Sequence, residues 1–145
     1  MSTMSPNEFF KKILFIFVVS FILNLIWENL HVFLYSNYRG GQITEFILVR
    51  ATLADAVIIT IIVAPFLFIA SIKDKSWLIV IAGIIISIII EFYALNTGRW
   101  SYNEWMPIIP LIKTGLTPTI QLGLLGFVSY RLQKFFIDQS FTYFV

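Results

Sequence analysis

Three acidic residues stand where acids are costly. Glu28, Asp55 and Glu91 each lie inside or at the edge of a long apolar block. A charged side chain at mid-bilayer costs at least ~2.5–3.5 kcal/mol on insertion scales, so such residues face a bundle interior or a water-filled cavity and mark function by default. In the first block Asn24, Trp27, Glu28 and His31 follow at spacings of three, one and three, which puts them on one helical face. Asp55 has Thr52 one turn before it and Arg50 nearby, and Pro118 and Gln121 occupy the upper part of the last block. Three anions in one dry pocket repel, so a shared site would hold at least one of them as the neutral acid. An acid of that kind can protonate, isomerise, cyclise or hydrate a double bond, and aromatic faces can steady the carbocation that forms.

The segment after the third block is the densest in polar and aromatic side chains, running Glu91, Asn96, Thr97, Gly98, Arg99, Trp100, Ser101, Tyr102, Asn103, Glu104. Gly98 can end a helix with positive φ. Arg99 can meet a carboxylate or an anionic head group. Trp100 and Tyr102 offer π faces, and Pro107, Pro110 and Pro118 stiffen the return path. Plain connectors are shorter than this, so the segment reads as a lid over the pocket.

Other chemistries have little to stand on. Net charge is +2 and no basic stripe exists for nucleic acid. Without cysteine there is no disulfide, thiolate nucleophile or cysteine metal site. Glu28-x-x-His31 has the Glu-x-x-His spacing of di-iron bundles, but that site needs two such motifs and this chain has 1 histidine. No metal and no cofactor are therefore expected. No serine triad can be assembled, Gly40-Gly41 reads as a turn, and Gly123-x-x-Gly126 reads as close helix packing.

The elements that must position these residues are apolar helices. The 145 residues are 59% hydrophobic and only 12% charged, against roughly a quarter charged in soluble domains. Four blocks, about 13–34, 53–72, 77–95 and 111–132, approach the ~20 residues that ~30 Å of hydrocarbon demands. The second can begin earlier, near Thr44, as an interfacial helix, and Pro65 should bend it. The first is too long for the apolar region of a signal peptide and lacks a small-residue cleavage site, so it is expected to be retained. The expected fold is an all-α, single-domain, multi-pass four-helix transmembrane bundle, with a structured outer loop between spans three and four. With both termini inside, Lys11, Lys12, Lys73, Lys75, Arg131 and Lys134 lie on the inner side, against Arg39, Arg50, Arg99 and Lys113 outside. That bias favours the N-in, C-in arrangement. The aromatic tail 135–145 is expected at the inner interface.

Up-down connectivity brings every outer half together. Glu28, Asp55 and Glu91 are then the candidate catalytic acids. Asn24, Trp27, His31, Arg99, Trp100, Tyr102, Asn103 and Gln121 are the candidate substrate-binding residues. The alternative is that the acids pair with Arg50, Arg99 and His31 and merely lock the helices.

The loop residues Glu91, Gly98, Trp100, Tyr102 and Asn103 resemble a pattern of the lycopene cyclase domain of carotenoid synthesis, which carries an acid at a span end followed by Gly, Trp, an aromatic and Asn. Where the cyclases place Pro-x-Glu-Glu, this chain has Pro118-Thr119-Ile120-Gln121. The chain is also similar to a family of small bacterial integral membrane proteins with Trp-Glu in the first span and the Gly-x-Trp-x-Tyr-Asn loop, which points to the bacterial inner membrane. The cyclase resemblance implies a bundle that handles a membrane lipid or isoprenoid ligand by proton transfer, without a redox cofactor. A small transporter or cation- and proton-binding protein, or a non-catalytic subunit of a membrane complex, are the competing expectations. A homo-oligomer or a membrane partner subunit is compatible with any of them.

The basic-residue bias sets a first prediction. A reporter fused at Val145 should signal from the cytoplasm, and one inserted within 39–42 from the other side. The reverse pair of signals overturns the orientation.

Overall fold

The computed structural model describes residues 4–138; the rest of the expected interfacial tail, 139–145, lies outside them. Helix α1 (Pro6–His31) opens with a capping box in which Ser5 and Glu8 satisfy each other's backbone N–H groups, with Pro6 in the first turn. These caps start the helix ahead of the apolar block, inside a stretch that hydropathy alone leaves undefined. Thr44 caps α2 (Glu45–Val63), so the interfacial lead-in and the span form one helix. Pro65 interrupts the second span from inside. α2 gives way at Ala64, itself in the right-handed helical conformation, to the short α3 (Pro65–Phe68), since proline has no N–H to extend the ladder. The two together form one helical segment, Glu45–Phe68. Helix α4 is Trp77–Asn96 and α5 is Leu116–Gln133.

Three helical segments, Pro6–Leu34, Glu45–Phe68 and Trp77–Asn96, are long and apolar enough to cross a membrane. Their burial pattern agrees with a lipid surround. In α1 the buried side chains are Ile16, Ser20, Asn24, Glu28 and His31, while Leu14, Val18, Ile22, Ile26 and Leu30 are exposed. In α4 Ile79, Gly83, Ser87, Glu91 and Ala94 are buried, while Trp77, Ile81, Ile85 and Ile89 are exposed. Each helix therefore turns an apolar stripe outward and its polar side chains inward, the reverse of a soluble amphipathic helix. The apolar centre is built from Ile16, Ile59, Val63, Phe66, Ile79, Leu122 and Leu125.

Helix α5 is the hub, packing against α4, α1 and α2, whereas α2 and α4 touch only lightly. Its approach to α4 is set by glycine. A Cβ on Gly83 would overlap the backbone of Gly123, and one on Gly123 would overlap the backbone of Val80. Gly126 faces Ile79 and Ile59, so the Gly123–Gly126 pair serves close packing as expected.

At the end that holds the acids, two short strands join. β1 (Tyr35–Tyr38) pairs antiparallel with β2 (Trp100–Tyr102), matching Tyr35 with Tyr102 and Tyr38 with Trp100 across a bulge. The expected lid is thus a two-stranded sheet built from two loops. Gly98, at φ +63°, ends α4 as expected. Its N–H donates to Leu95 O at 3.3 Å and the N–H of Arg99 to Ala94 O at 2.8 Å, the paired bonds of a Schellman cap. The register is held by Ser36 Oγ donating to Tyr102 O (2.8 Å) and Asn37 Nδ2 to Ser101 Oγ (2.7 Å). At the opposite end the hydroxyl of Tyr130 donates to the Lys73 carbonyl at 2.7 Å, tying α5 to the connection between α3 and α4.

The glycine crossing sets a second prediction. Gly123→Val should separate α4 from α5 and lower stability by at least the ~1–3 kcal/mol typical of overpacking. Gly40→Ala, where an added Cβ meets nothing within 4 Å, should keep the helices together despite its positive φ. Thermal unfolding in detergent reads both, and an unshifted Gly123→Val midpoint removes the crossing from the account.

Candidate functional site

The acid-bearing end encloses a cavity of about 280 Å³. Glu28 comes to it from α1, Asp55 from α2, Glu91 from α4 and Gln121 from α5, with Arg99 and Trp100 from the loop and β2. Two helical facts bring these together. Asn24, Glu28 and His31 fall on the buried face of α1, and Ser87 and Glu91 on that of α4. The packing of α1, α2 and α4 around α5 then sets the three acids on one cavity.

Gln121 is the centre of the polar network. Its Nε2 lies 2.8 Å from Glu28 Oε1, 2.9 Å from Asp55 Oδ2 and 2.9 Å from Asn24 Oδ1. The amide is oriented from behind, because Asn24 Nδ2 donates to the Ser20 carbonyl at 2.7 Å and so presents Oδ1 to Gln121. An amide NH₂ carries two hydrogens, and three acceptors surround it. Glu28 and Asp55 are thus drawn to one neutral donor, and two carboxylates so placed repel unless one carries a proton.

Glu91 is held differently. Its Oε2 accepts from Trp100 Nε1 at 3.2 Å and from the Tyr102 hydroxyl in a short bond. The N–H of Gly115 donates to the Tyr102 oxygen at 3.0 Å, so the phenol is fixed from both sides. Burial, followed by its bond to Glu91, holds the Tyr102 hydroxyl above the usual tyrosine range. Burial, with Glu91 nearby, does the same for Tyr35. Both therefore remain hydroxyl donors at neutral pH.

The remaining candidates are near the cavity without lining it. The ring of His31 stacks between Trp27 and Tyr35, with centroids 6.0 Å and 5.5 Å away, and its Nε2 is 3.9 Å from Glu28 Oε2. His31 and Trp27 thus support the wall from behind, where the sequence placed them on it. Tyr102 acts through Glu91. Asn103 closes the lid, donating from Nδ2 to the Phe33 carbonyl and accepting the Trp105 N–H at 2.9 Å. It is too engaged with backbone to orient a ligand.

Several lining residues were not singled out from sequence: Tyr35, Tyr38, Ser87 and Ile58. The signal for two of them was present. Tyr35 follows His31 by one turn, and Ser87 precedes Glu91 by one turn. The hydroxyl of Ser87 is buried with no hydrogen-bond partner among the described residues, although serine in a helix ordinarily bonds back to the preceding turn.

Helix locking by ion pairs does not describe this arrangement. Among the described residues, Glu28, Asp55 and Glu91 make no ion pair with Lys or Arg; the one basic side chain within 4.0 Å of them is the imidazole of His31, 3.9 Å from Glu28. No protein-family model matches the chain, and no curated protein or solved structure matches it. The chemistry of the cavity therefore has to be read from its own groups.

Gln121→Leu tests the network. It strips the shared donor from two buried acceptors, Asn24 and Glu28, and from the half-buried Asp55, and a stability loss of ~1–3 kcal/mol is expected. An unfolding midpoint equal to that of the wild type shows that the amide does not hold the carboxyls.

Proposed function

We propose that this chain is a four-span protein of the bacterial inner membrane with both termini in the cytoplasm, and that its cavity is an acid/base site acting on a double bond of an isoprenoid or other lipid. The observation that carries this reading is the gathering of Glu28, Asp55, Glu91 and Gln121 around one cavity, with no Lys or Arg paired to any acid among the described residues. Basic residues favour placing that end outside the cytoplasm, and α5 completes the bundle as the fourth span.

The groups divide into two roles. The Glu28–Asp55 pair shares a proton and is the donor. Transfer of that proton to one carbon of a double bond leaves a cation on the other carbon and an anionic pair behind. Trp100, Tyr35 and Tyr38 border the space where the cation forms, and their π faces stabilise it. Glu91, steadied by Trp100 and Tyr102, is the acceptor. Glu91 takes the proton that ends each course: from a carbon beside the cation to give the isomer, from the ring cation left when a second double bond of the same chain attacks to give a ring, or from a captured water to give an alcohol. The proton on Glu91 returns to the pair across the cavity, so no redox partner is needed. The likeness of the loop to the lycopene cyclase domain supports this assignment. The two carboxyls that the cyclase pattern carries at this point of the sequence are here brought to Gln121 by α1 and α2.

A second reading also has an observation behind it. Carboxyls without a basic partner can hold a proton or a small cation in transit. One experiment separates the two. Reconstituted protein incubated in D₂O with polyisoprenoid lipids should place deuterium on carbon, read by mass spectrometry. Glu28→Gln, Asp55→Asn and Glu91→Gln should each lower the labelling rate by 10²-fold or more. Labelling that persists in all three variants removes these residues from the chemistry. An absence of label, together with proton uptake by the intact protein across a vesicle membrane, establishes the second reading.

A further inference from the structure

The cavity has a vertical order that the acid/base reading leaves unused. Arg50 and Arg99 both line it, from the first turns of α2 and from the end of α4. Neither makes an ion pair or side-chain hydrogen bond among the described residues. Each guanidinium instead lies over a ring, Arg50 over Phe46 at 5.8 Å and Arg99 over Tyr93 at 5.4 Å. The other end of the molecule shows the contrast. There Lys12 meets Asp138 at 2.8 Å and Lys134 meets Asp74 at 3.1 Å. Two arginines left without a carboxylate beside a cavity that holds three carboxyls are a pair kept for an outside anion.

Depth follows from helix geometry. Arg50 precedes Asp55 by five residues, so it sits ~7.5 Å nearer the membrane surface at 1.5 Å per residue. Arg99 follows Glu91 beyond the end of α4, on the same side of the acids, and lines the same cavity. Below the acids the lining is mainly apolar, with Ile58 and Leu122, and the hydroxyl of Ser87 lies one turn beneath Glu91. The wall is thin on one side. Helices α2 and α4 both line the cavity, yet touch each other only lightly, because each is packed on α5 or α1 instead. A gap between two spans opens toward hydrocarbon, and a lipid chain can lie in it.

We propose that the cavity takes an amphiphile with a phosphate-type anionic head, held between Arg50 and Arg99, whose chain passes the acids and leaves sideways between α2 and α4. This rests on the lipid reading above and narrows its substrate. The head sets the register, so that the double bond about one to two turns below it is the one presented to Glu28, Asp55 and Glu91. Arginine suits the task because its planar fork binds phosphate oxygens in pairs. A cavity of about 280 Å³ is at the small end for a ligand site, which fits a head and the first part of a chain whose remainder stays in the bilayer.

The test uses the full chain in detergent, with intrinsic tryptophan fluorescence as readout because Trp100 lines the cavity. Farnesyl phosphate should bind saturably, and farnesol at least tenfold more weakly. Inorganic phosphate at millimolar concentration should neither bind nor displace farnesyl phosphate. Arg50→Gln with Arg99→Gln should erase the preference for the phosphate while leaving farnesol binding in place. Arg50→Lys alone, which keeps the charge and loses the fork, covers the case in which the double variant does not fold; it should lower farnesyl phosphate affinity severalfold. Equal binding of farnesyl phosphate and farnesol overturns the head-group proposal and leaves the lipid reading standing. Binding of neither, or of farnesylamine alone, overturns both. Displacement by inorganic phosphate assigns the arginines to a free anion and likewise overturns the proposal.

Discussion

Polar side chains inside hydrocarbon must find one another, and this single requirement organises the bundle. Asn24, Glu28, Asp55, Glu91 and Gln121 cannot face lipid without a penalty of several kcal/mol. The helices therefore rotate until these residues meet, and the apolar stripes of α1, α2 and α4 are left outward. Association is not driven by burying those stripes, since lipid is as apolar as leucine. It is driven by the amide of Gln121 reaching three partners on two other helices and by the backbone contact that Gly83 and Gly123 allow.

The same two devices account for the empty space. α5 is drawn against α4 by glycine and against α1 and α2 by hydrogen bonds, and α2 is left at a distance from α4. The sheet of β1 and β2 spans the top of that gap and delivers Trp100 and Tyr102 to Glu91. The cavity is thus the residue of a packing problem in which close approach was spent elsewhere. Its groups are held from behind, by Ser20 through Asn24 and by Gly115 through Tyr102.

Much of this was legible in the sequence, and the reason is periodicity. Glu28, Asp55, Glu91 and Gln121 announce one pocket because residues four apart share a helical face and because alternating spans return to the same depth. What escaped lies where no period operates. Tyr35–Tyr38 reads as the frayed end of a span, and nothing local pairs it with Trp100–Tyr102 more than sixty residues away; a strand of that length has no identity until its partner arrives. His31 was placed on the wall because its face was right, but its ring turns into the space between Trp27 and Tyr35, a rotamer choice that spacing cannot express. Pro65 interrupts the ladder inside the second helical segment, which resumes as Pro65–Phe68, a local effect that the residue type alone announces.

The reliance on Gln121 has a consequence for how the protein is made. A chain emerging from the ribosome presents α1, α2 and α4 to the membrane before α5 exists. During that interval the carboxyls of Glu28 and Asp55 and the amide oxygen of Asn24 have lost nothing covalently, yet they lack the donor that the finished molecule gives them. α5 is the least apolar of the long helices and is absent from the segments able to cross on hydropathy alone. Its docking is therefore favoured by the partners already waiting on α1 and α2 more than by its own apolarity. Helix α5 acts as the keystone of an arch, and its arrival is the moment at which the waiting acceptors gain their shared donor.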